Sequence, residues 1–157
     1  MEEKFIASEE HARLQCTSCS FIFYQNSKPT ASGLIVQGNK ILLGKRAHEP
    51  EKDKWDIPGG FLEAGEHPED GLRRELMEEV GIKVRVERLG GIFMDEYGPE
   101  KVPTLNIYYL VSPLSEDVIA GSDLKEVKWF TKDEIPYDEI AFSNGKMMIE
   151  AWLKGEV

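Results

Sequence analysis

Cysteine is nearly absent from the chain. Cys16 and Cys19 are the only two, and a pair so close in sequence excludes the disulfide framework of a small secreted protein. No apolar stretch approaches the roughly 18–20 residues that a membrane-spanning helix requires. The start, Met1-Glu2-Glu3-Lys4-Phe5, lacks the basic and then apolar pattern of a signal peptide. A cytoplasmic protein without a membrane partner is expected. Excess positive charge is missing as well: the formal net charge is −10 and the pI is near 4.8, which argues against non-specific binding to nucleic acid. Internal repeats and low-complexity tracts are lacking. What remains, 41% hydrophobic and 31% charged residues over 157 positions, suits an ordinary domain able to bury its own core.

Residues 1–30 carry the CxxC pair and an aromatic cluster, Phe21, Phe23 and Tyr24, and read as an extension packed on a main domain of residues 31–157. Ala31–Val36 and Ile41–Arg46 read as strands joined by a Gly38-Asn39 turn, a hairpin signal. His48–Asp56 reads as a polar loop. Pro68 at a first helical position and Gly81 just past the end bracket a helix over 68–80. Val84–Phe93, Thr104–Val111 and Glu126–Thr131 read as further strands. A terminal helix near 144–153 places Met147, Met148 and Trp152 on a core-facing stripe. Strands mixed with two separated helices predict an α/β (α+β) sandwich with a mixed sheet between helices.

On the helix over 68–80, Glu75, Glu78 and Glu79 fall at i, i+3 and i+4, beside the apolar arc of Leu72, Leu76 and Val80. Like charges at that spacing repel by a few tenths of a kcal/mol per pair. They also occupy the last turn, where the helix dipole disfavours anions by about 0.3–1 kcal/mol. Stability alone would place Lys or Arg there. Mg²⁺ or Mn²⁺ resolves the conflict, because these hard cations take carboxylate oxygen together with water and substrate phosphate. Upstream, Gly59, Gly60 and Gly65 flank Glu63 and Glu66 in a loop able to bring carbonyls and a further carboxylate towards the same ions. Arg74 is placed to hold a neighbouring carboxylate in one rotamer. Gly71 inside the helix implies either close approach of another segment or ligand, or a packing contact.

The stretch Gly60-x5-Glu66-x7-Arg74-Glu75-Leu76-x-Glu78-Glu79-x-Gly81-Ile82 resembles the Nudix box. Leu42-Leu43-Gly44-Lys45-Arg46, Trp55-Asp56-Ile57-Pro58-Gly59-Gly60 and Val127-Lys128-Trp129-Phe130 resemble elements flanking it in that family. The resemblance implies a Nudix α/β/α sandwich that hydrolyses a nucleoside diphosphate linked to another group. It implies Mg²⁺ or Mn²⁺ held by Glu75, Glu78, Glu79, the Gly60 carbonyl and Glu66, with Arg74 orienting Glu75. The general base varies in the family, and the candidates are Glu79 and Glu126, with Asp123 behind them. Arg46 is a candidate phosphate ligand, and Trp55, Phe93, Tyr97 and Tyr108 are candidates to stack on a base, Tyr97 first. Pro99 falls near where ADP-ribose-cleaving relatives carry a proline, and Tyr97 near where relatives acting on diadenosine polyphosphates carry a tyrosine. The expected substrate is therefore an ADP-ribose-like molecule, a dinucleotide or a nucleotide sugar. The alternatives are an oxidised-triphosphate sanitiser and a non-catalytic nucleotide sensor.

Cys16-x-x-Cys19 resembles the second half of the zinc ribbon of NADH pyrophosphatases, with the first half missing. Four readings stay open: a metal-free turn, Zn²⁺ held with His11 or a second subunit, a redox pair, and reactive surface thiols. The aromatic cluster of the extension suits a homodimer contact. His48 and His67 are expected in solvent.

Overall fold

The computed structural model describes residues 2–5, 12–115 and 117–157. A small three-stranded antiparallel sheet comes first, made of β1 (Glu2–Phe5), β2 (Ala12–Gln15) and β3 (Ile22–Phe23). The main sheet contains β4 (Lys28–Gln37), β5 (Lys40–Arg46), β6 (Trp55–Asp56), β7 (Gly59–Phe61), β8 (Val84–Tyr97), β9 (Val102–Pro113) and β10 (Leu124–Thr131). Its order is β10-β5-β4-β9-β8, with β6 on β5 and β7 on β4. The β4–β9 pair is parallel and its neighbours are antiparallel, so the sheet is mixed. Helix α1 (Pro68–Val80) follows β7, and α2 (Ser143–Lys154) closes the chain.

Period-two alternation along the central strands assigns the two faces. Ala31 and Ile35 of β4, Leu42 of β5, and Tyr109 and Val111 of β9 pack with Leu72, Leu76 and Val80 of α1. Leu34, Ile41, Leu43 and Tyr108 point the other way, against Met148, Ile149 and Trp152 of α2. The result is the expected three-layer α/β/α sandwich. Gly33 lets α1 sit close: a Cβ there would lie 2.9 Å from a Leu76 methyl. Among the described residues, no helix is long and apolar enough to cross a membrane.

The β4–β5 hairpin forms where Gly38-Asn39 predicts it, but its strands pair only from Ile35–Gln37 to Lys40–Leu42. Beyond that point they part. Trp55-Asp56 pairs with Lys45-Gly44 of β5, and Gly59–Phe61 pairs with Thr30–Ser32 of β4. The end of the loop read as polar is therefore built into the sheet, and this wedge delivers the Gly59-Gly60 turn to the C-terminal half of α1.

Other expectations shift. Val84–Phe93 continues as a strand to Tyr97 because β9 pairs with it along its whole length. His67 is exposed, as expected, and it also caps α1: its Nδ1 accepts a 3.3 Å hydrogen bond from the Glu69 amide. Met147 lies off the core stripe, 42% exposed, while Met148 and Trp152 are buried. The aromatic cluster of the extension is exposed, with Phe21 at 61%, Phe23 at 43% and Tyr24 at 51%. Helix α1 spans the predicted residues, and Gly81 caps it in the left-handed region at φ 64°, its amide donating to the Met77 carbonyl and the Ile82 amide to the Leu76 carbonyl.

Candidate active site

A cleft of about 420 Å³ opens where β4 and β5 part. Glu75 and Glu79 reach it from α1, Gly59 and Gly60 from β7, Arg46 and Asp56 from β5 and β6, Tyr97 from β8, and Asp123 from the turn before β10. Gly59 adopts φ 150°, and a side chain there would meet the Ala31 carbonyl and the Ser32 backbone. Its amide donates to Glu79 Oε2 at 2.9 Å. Gly60 lies so close to Glu75 that a Cβ would stand 2.5 and 2.6 Å from its two carboxylate oxygens. Glycine is thus required twice over, first by conformation and then by the approach of a carboxylate.

Arg74 organises the carboxylates beside the cleft. Its Nη1 donates to Glu75 at 2.7 Å, and its Nε and Nη2 donate to the two oxygens of Glu66 at 2.9 and 3.0 Å, a bidentate fork. Nη2 also reaches the Phe61 carbonyl at 3.2 Å, tying α1 to β7. The bonds from Arg74, with one from the Glu63 amide, hold Glu66 down at a pKa of about 2. Glu66 also packs against Gly71, where a Cβ would lie 2.8 Å from Oε2. The helix glycine therefore answers a packing contact with Leu62 and Glu66. Glu78 is 63% exposed and lies 3.6 Å from the same Nη1 of Arg74.

Glu79 is the most perturbed acid. Burial pushes its pKa up to about 8, and the carboxylates of Asp56, Glu75 and Asp123 add to the rise against the Gly59 hydrogen bond. Asp56 is raised to about 6 by burial, opposed by Arg46. Such a concentration of negative potential matches a hard cation. Two carboxylates, a backbone carbonyl at Gly60 and open space for water and phosphate are the donors Mg²⁺ or Mn²⁺ takes. The residues present fit that group.

Arg46 is already engaged. It bonds Asp56 at 3.1 Å, the Pro50 carbonyl at 2.8 Å and the Tyr97 hydroxyl at 3.4 Å, and stacks 5.0 Å from the Phe142 ring centroid. Tyr97 in turn meets Phe61 edge-on at 5.3 Å and Phe142 at 5.8 Å, so an aromatic group stands at the mouth. The other aromatic candidates serve the core: Trp55 packs on Phe130 at 4.8 Å, and Phe93 contacts Tyr108 at 5.8 Å. Tyr108 lines the cleft floor and donates to Asn144 at 2.7 Å. Glu126 stands exposed on β10 opposite Lys45, outside the cleft lining, whereas Asp123 is part of it.

Sequence reasoning passed over several cleft residues. Asp56 carries no site role in the sequence pattern, and neither does the chain of Thr30, Asn106 and Thr104, linked at 2.9 and 3.0 Å, with Thr30 at the end of the extension and the other two in the strand over 104–111. The available signal was Thr104 and Asn106 at alternate positions of a strand that is otherwise mostly apolar. Cys16 and Cys19 are free thiols in the β2–β3 turn. Backbone hydrogen bonds from Ser18 and Cys19 lower the Cys16 pKa. Among the described residues no group of three His, Cys, Asp or Glu gathers there or elsewhere as a ready metal cluster; His11 lies outside the described residues.

The NUDIX domain matches residues 27–151. The chain is 31% identical over 125 residues to the ADP-ribose pyrophosphatase of Methanocaldococcus jannaschii, covering 80% of this chain and 73% of that protein. It is also 31% identical over 162 aligned positions to the NAD-capped RNA hydrolase NudC of Mannheimia succiniciproducens, covering 97% of this chain but 58% of that one. A NUDIX hydrolase crystal structure from Nitrosomonas europaea superimposes with a TM-score of 0.86 at 28% identity, covering 98% of this chain and 85% of that chain.

Proposed function

Because the chain belongs to the NUDIX family, an enzyme family hydrolysing diphosphate bonds in nucleotide-linked substrates, we propose that its substrate is an ADP-ribose-like nucleoside diphosphate derivative. The observation that carries this reading is the Gly59-Gly60 turn pressed against Glu75 and Glu79 in a cleft that also holds an aromatic mouth. The similarity to an ADP-ribose pyrophosphatase supports it. The net charge of −10 favours a small substrate over a nucleic acid, and free thiols at Cys16 and Cys19 suit a reducing, cytoplasmic setting.

Glu75, Glu79 and the Gly60 carbonyl would hold Mg²⁺ or Mn²⁺, with Glu78 at the outer rim. When bound, the cation offsets the charge of the diphosphate and of the departing phosphate. Arg74 keeps Glu75 in place by sharing its fork between Glu75 and Glu66. Glu66 acts through Arg74 rather than on the substrate. Arg46, fixed by Asp56 and Pro50, presents its charge to the phosphates from the opposite wall. Asp123 faces the cleft and is the carboxylate best placed to take the proton of the attacking water, ahead of Glu126. Tyr97 and Phe142 offer ring faces to a base.

A panel of ADP-ribose, NADH, diadenosine polyphosphates, nucleotide sugars and oxidised purine triphosphates, each assayed with Mg²⁺ and with excess chelator, tests the reading. ADP-ribose or a nucleotide sugar should be the best substrate, with release of AMP or its equivalent abolished by chelation. A clear preference for triphosphates would replace the reading with nucleotide-pool sanitation, an activity named for a zebrafish relative 32% identical over 108 residues.

A further inference from the structure

A second cleft of about 370 Å³ lies directly behind the aromatic mouth. It shares Glu49, Phe61 and Tyr97 with the first cleft, so the edge-on Phe61–Tyr97 pair, with centroids 5.3 Å apart, is the partition between them. On its far side the wall is formed by Lys28, Pro50, Pro99, Glu100 and Val102. Pro50 connects the two clefts mechanically, since its carbonyl accepts the 2.8 Å bond from Arg46. Among the described residues, the side chains of Lys28, Glu49 and Glu100 take part in no hydrogen bond or ion pair, so their polar atoms are free to meet a ligand.

We propose that this second cleft receives the group on the far side of the diphosphate, and that it selects a neutral, hydroxyl-rich group such as a sugar. The assignment rests on the reading of the first cleft as the diphosphate site. A nucleoside triphosphate has one ring-bearing lobe and needs one such cleft. A nucleoside diphosphate sugar has two lobes, and the chain has two clefts joined at the mouth. The chemistry of the second wall chooses between kinds of far group. Two carboxylates, Glu49 and Glu100, face one cation, Lys28, leaving a single net negative charge that repels a further phosphate. Carboxylates also accept two hydrogen bonds from neighbouring hydroxyls, as a sugar diol offers. Pro50, Pro99, Val102 and the edges of Phe61 and Tyr97 cover the C–H face of such a ring.

The test compares ADP-ribose as substrate with ADP as a competitive inhibitor, because ADP occupies only the first cleft. Val102→Trp fills the second cleft. It should raise KM for ADP-ribose at least about tenfold while the inhibition constant of ADP stays within twofold and kcat changes little. Glu100→Gln, an exposed and fold-neutral change, should raise KM for ADP-ribose several-fold and leave ADP unaffected. Parallel weakening of ADP-ribose and ADP in both variants, or no change in either, overturns the second-cleft assignment while leaving the diphosphate site intact. Failure of the wild-type protein to cleave any nucleoside diphosphate derivative removes the proposed function itself, a result visible before any variant is made.

Discussion

Replacing Gly60 by alanine sets a methyl group 2.5 and 2.6 Å from the two carboxylate oxygens of Glu75, whereas ordinary contact begins near 3.4 Å. The carboxylate must therefore withdraw by roughly 1 Å, a shift that stretches or breaks its 2.7 Å bond to Arg74 and costs about 10²-fold in rate at a reacting centre. That factor corresponds to about 2.7 kcal/mol of transition-state stabilisation. The fold should hardly notice. The yielding atoms are the far end of a flexible side chain, and position 60 lies in a strand paired with Ala31, where a Cβ is tolerated. The measurements are kcat/KM for ADP-ribose hydrolysis at saturating Mg²⁺ and the thermal midpoint of the same preparation. Gly60→Ala should lose about 100-fold in kcat/KM and shift Tm by no more than about 2–4 °C. Gly59→Ala is the contrasting control. Its φ of 150° and the backbone of Ala31 and Ser32 leave no room to yield, so it should lower Tm sharply. A Gly60→Ala enzyme within threefold of wild type would refute the role given to Glu75.

The remaining expectations concern charge and core. Glu66 is held at about 2 against an ordinary 4.5, so its bonds to Arg74 stabilise the fold fully above pH 4.5 and are lost as pH falls towards 2. The Tm advantage of wild type over Glu66→Gln should therefore narrow across that window; a constant difference would contradict it. Leu76→Ala empties a fully buried position between α1 and β4 and should cost about 2–5 kcal/mol in urea unfolding; a loss below 1 kcal/mol would place that contact outside the cooperative core. Asp123→Asn should lower kcat at least about tenfold with KM little changed, and Glu126→Gln should stay near wild type. The reverse order would return the base role to Glu126.

Helix α1 was legible because its evidence is local. Pro68, Gly81 and the i, i+3, i+4 carboxylates state their geometry within one segment, and the helix appears over the predicted residues. The carboxylates that complete the cleft were not legible in the same way. Asp56 comes from the short strand β6 and Asp123 from the turn before β10, and only the parting of β4 from β5 brings them near Glu79. Glu78 follows the same spacing: it lies at the exposed edge of the group, 3.6 Å from the Arg74 nitrogen that also holds Glu75. For Arg46, the sequence pattern identified a cation at the right place and could not show its bonds to Asp56, Pro50 and Tyr97.

The wedge between β4 and β5 has a consequence for how this enzyme fails. Residues 59–61 are hydrogen-bonded to β4, the Gly33 amide bonds the Pro58 carbonyl at 2.9 Å, and the preceding turn is held to β5. A catalytic loop stitched into the sheet on both flanks has no cheap way to open by itself. Its amides exchange with solvent only when the central strands separate, in the same cooperative unit as the core. Heating or denaturant should then extinguish catalysis and structure together, with no folded but inactive population between them.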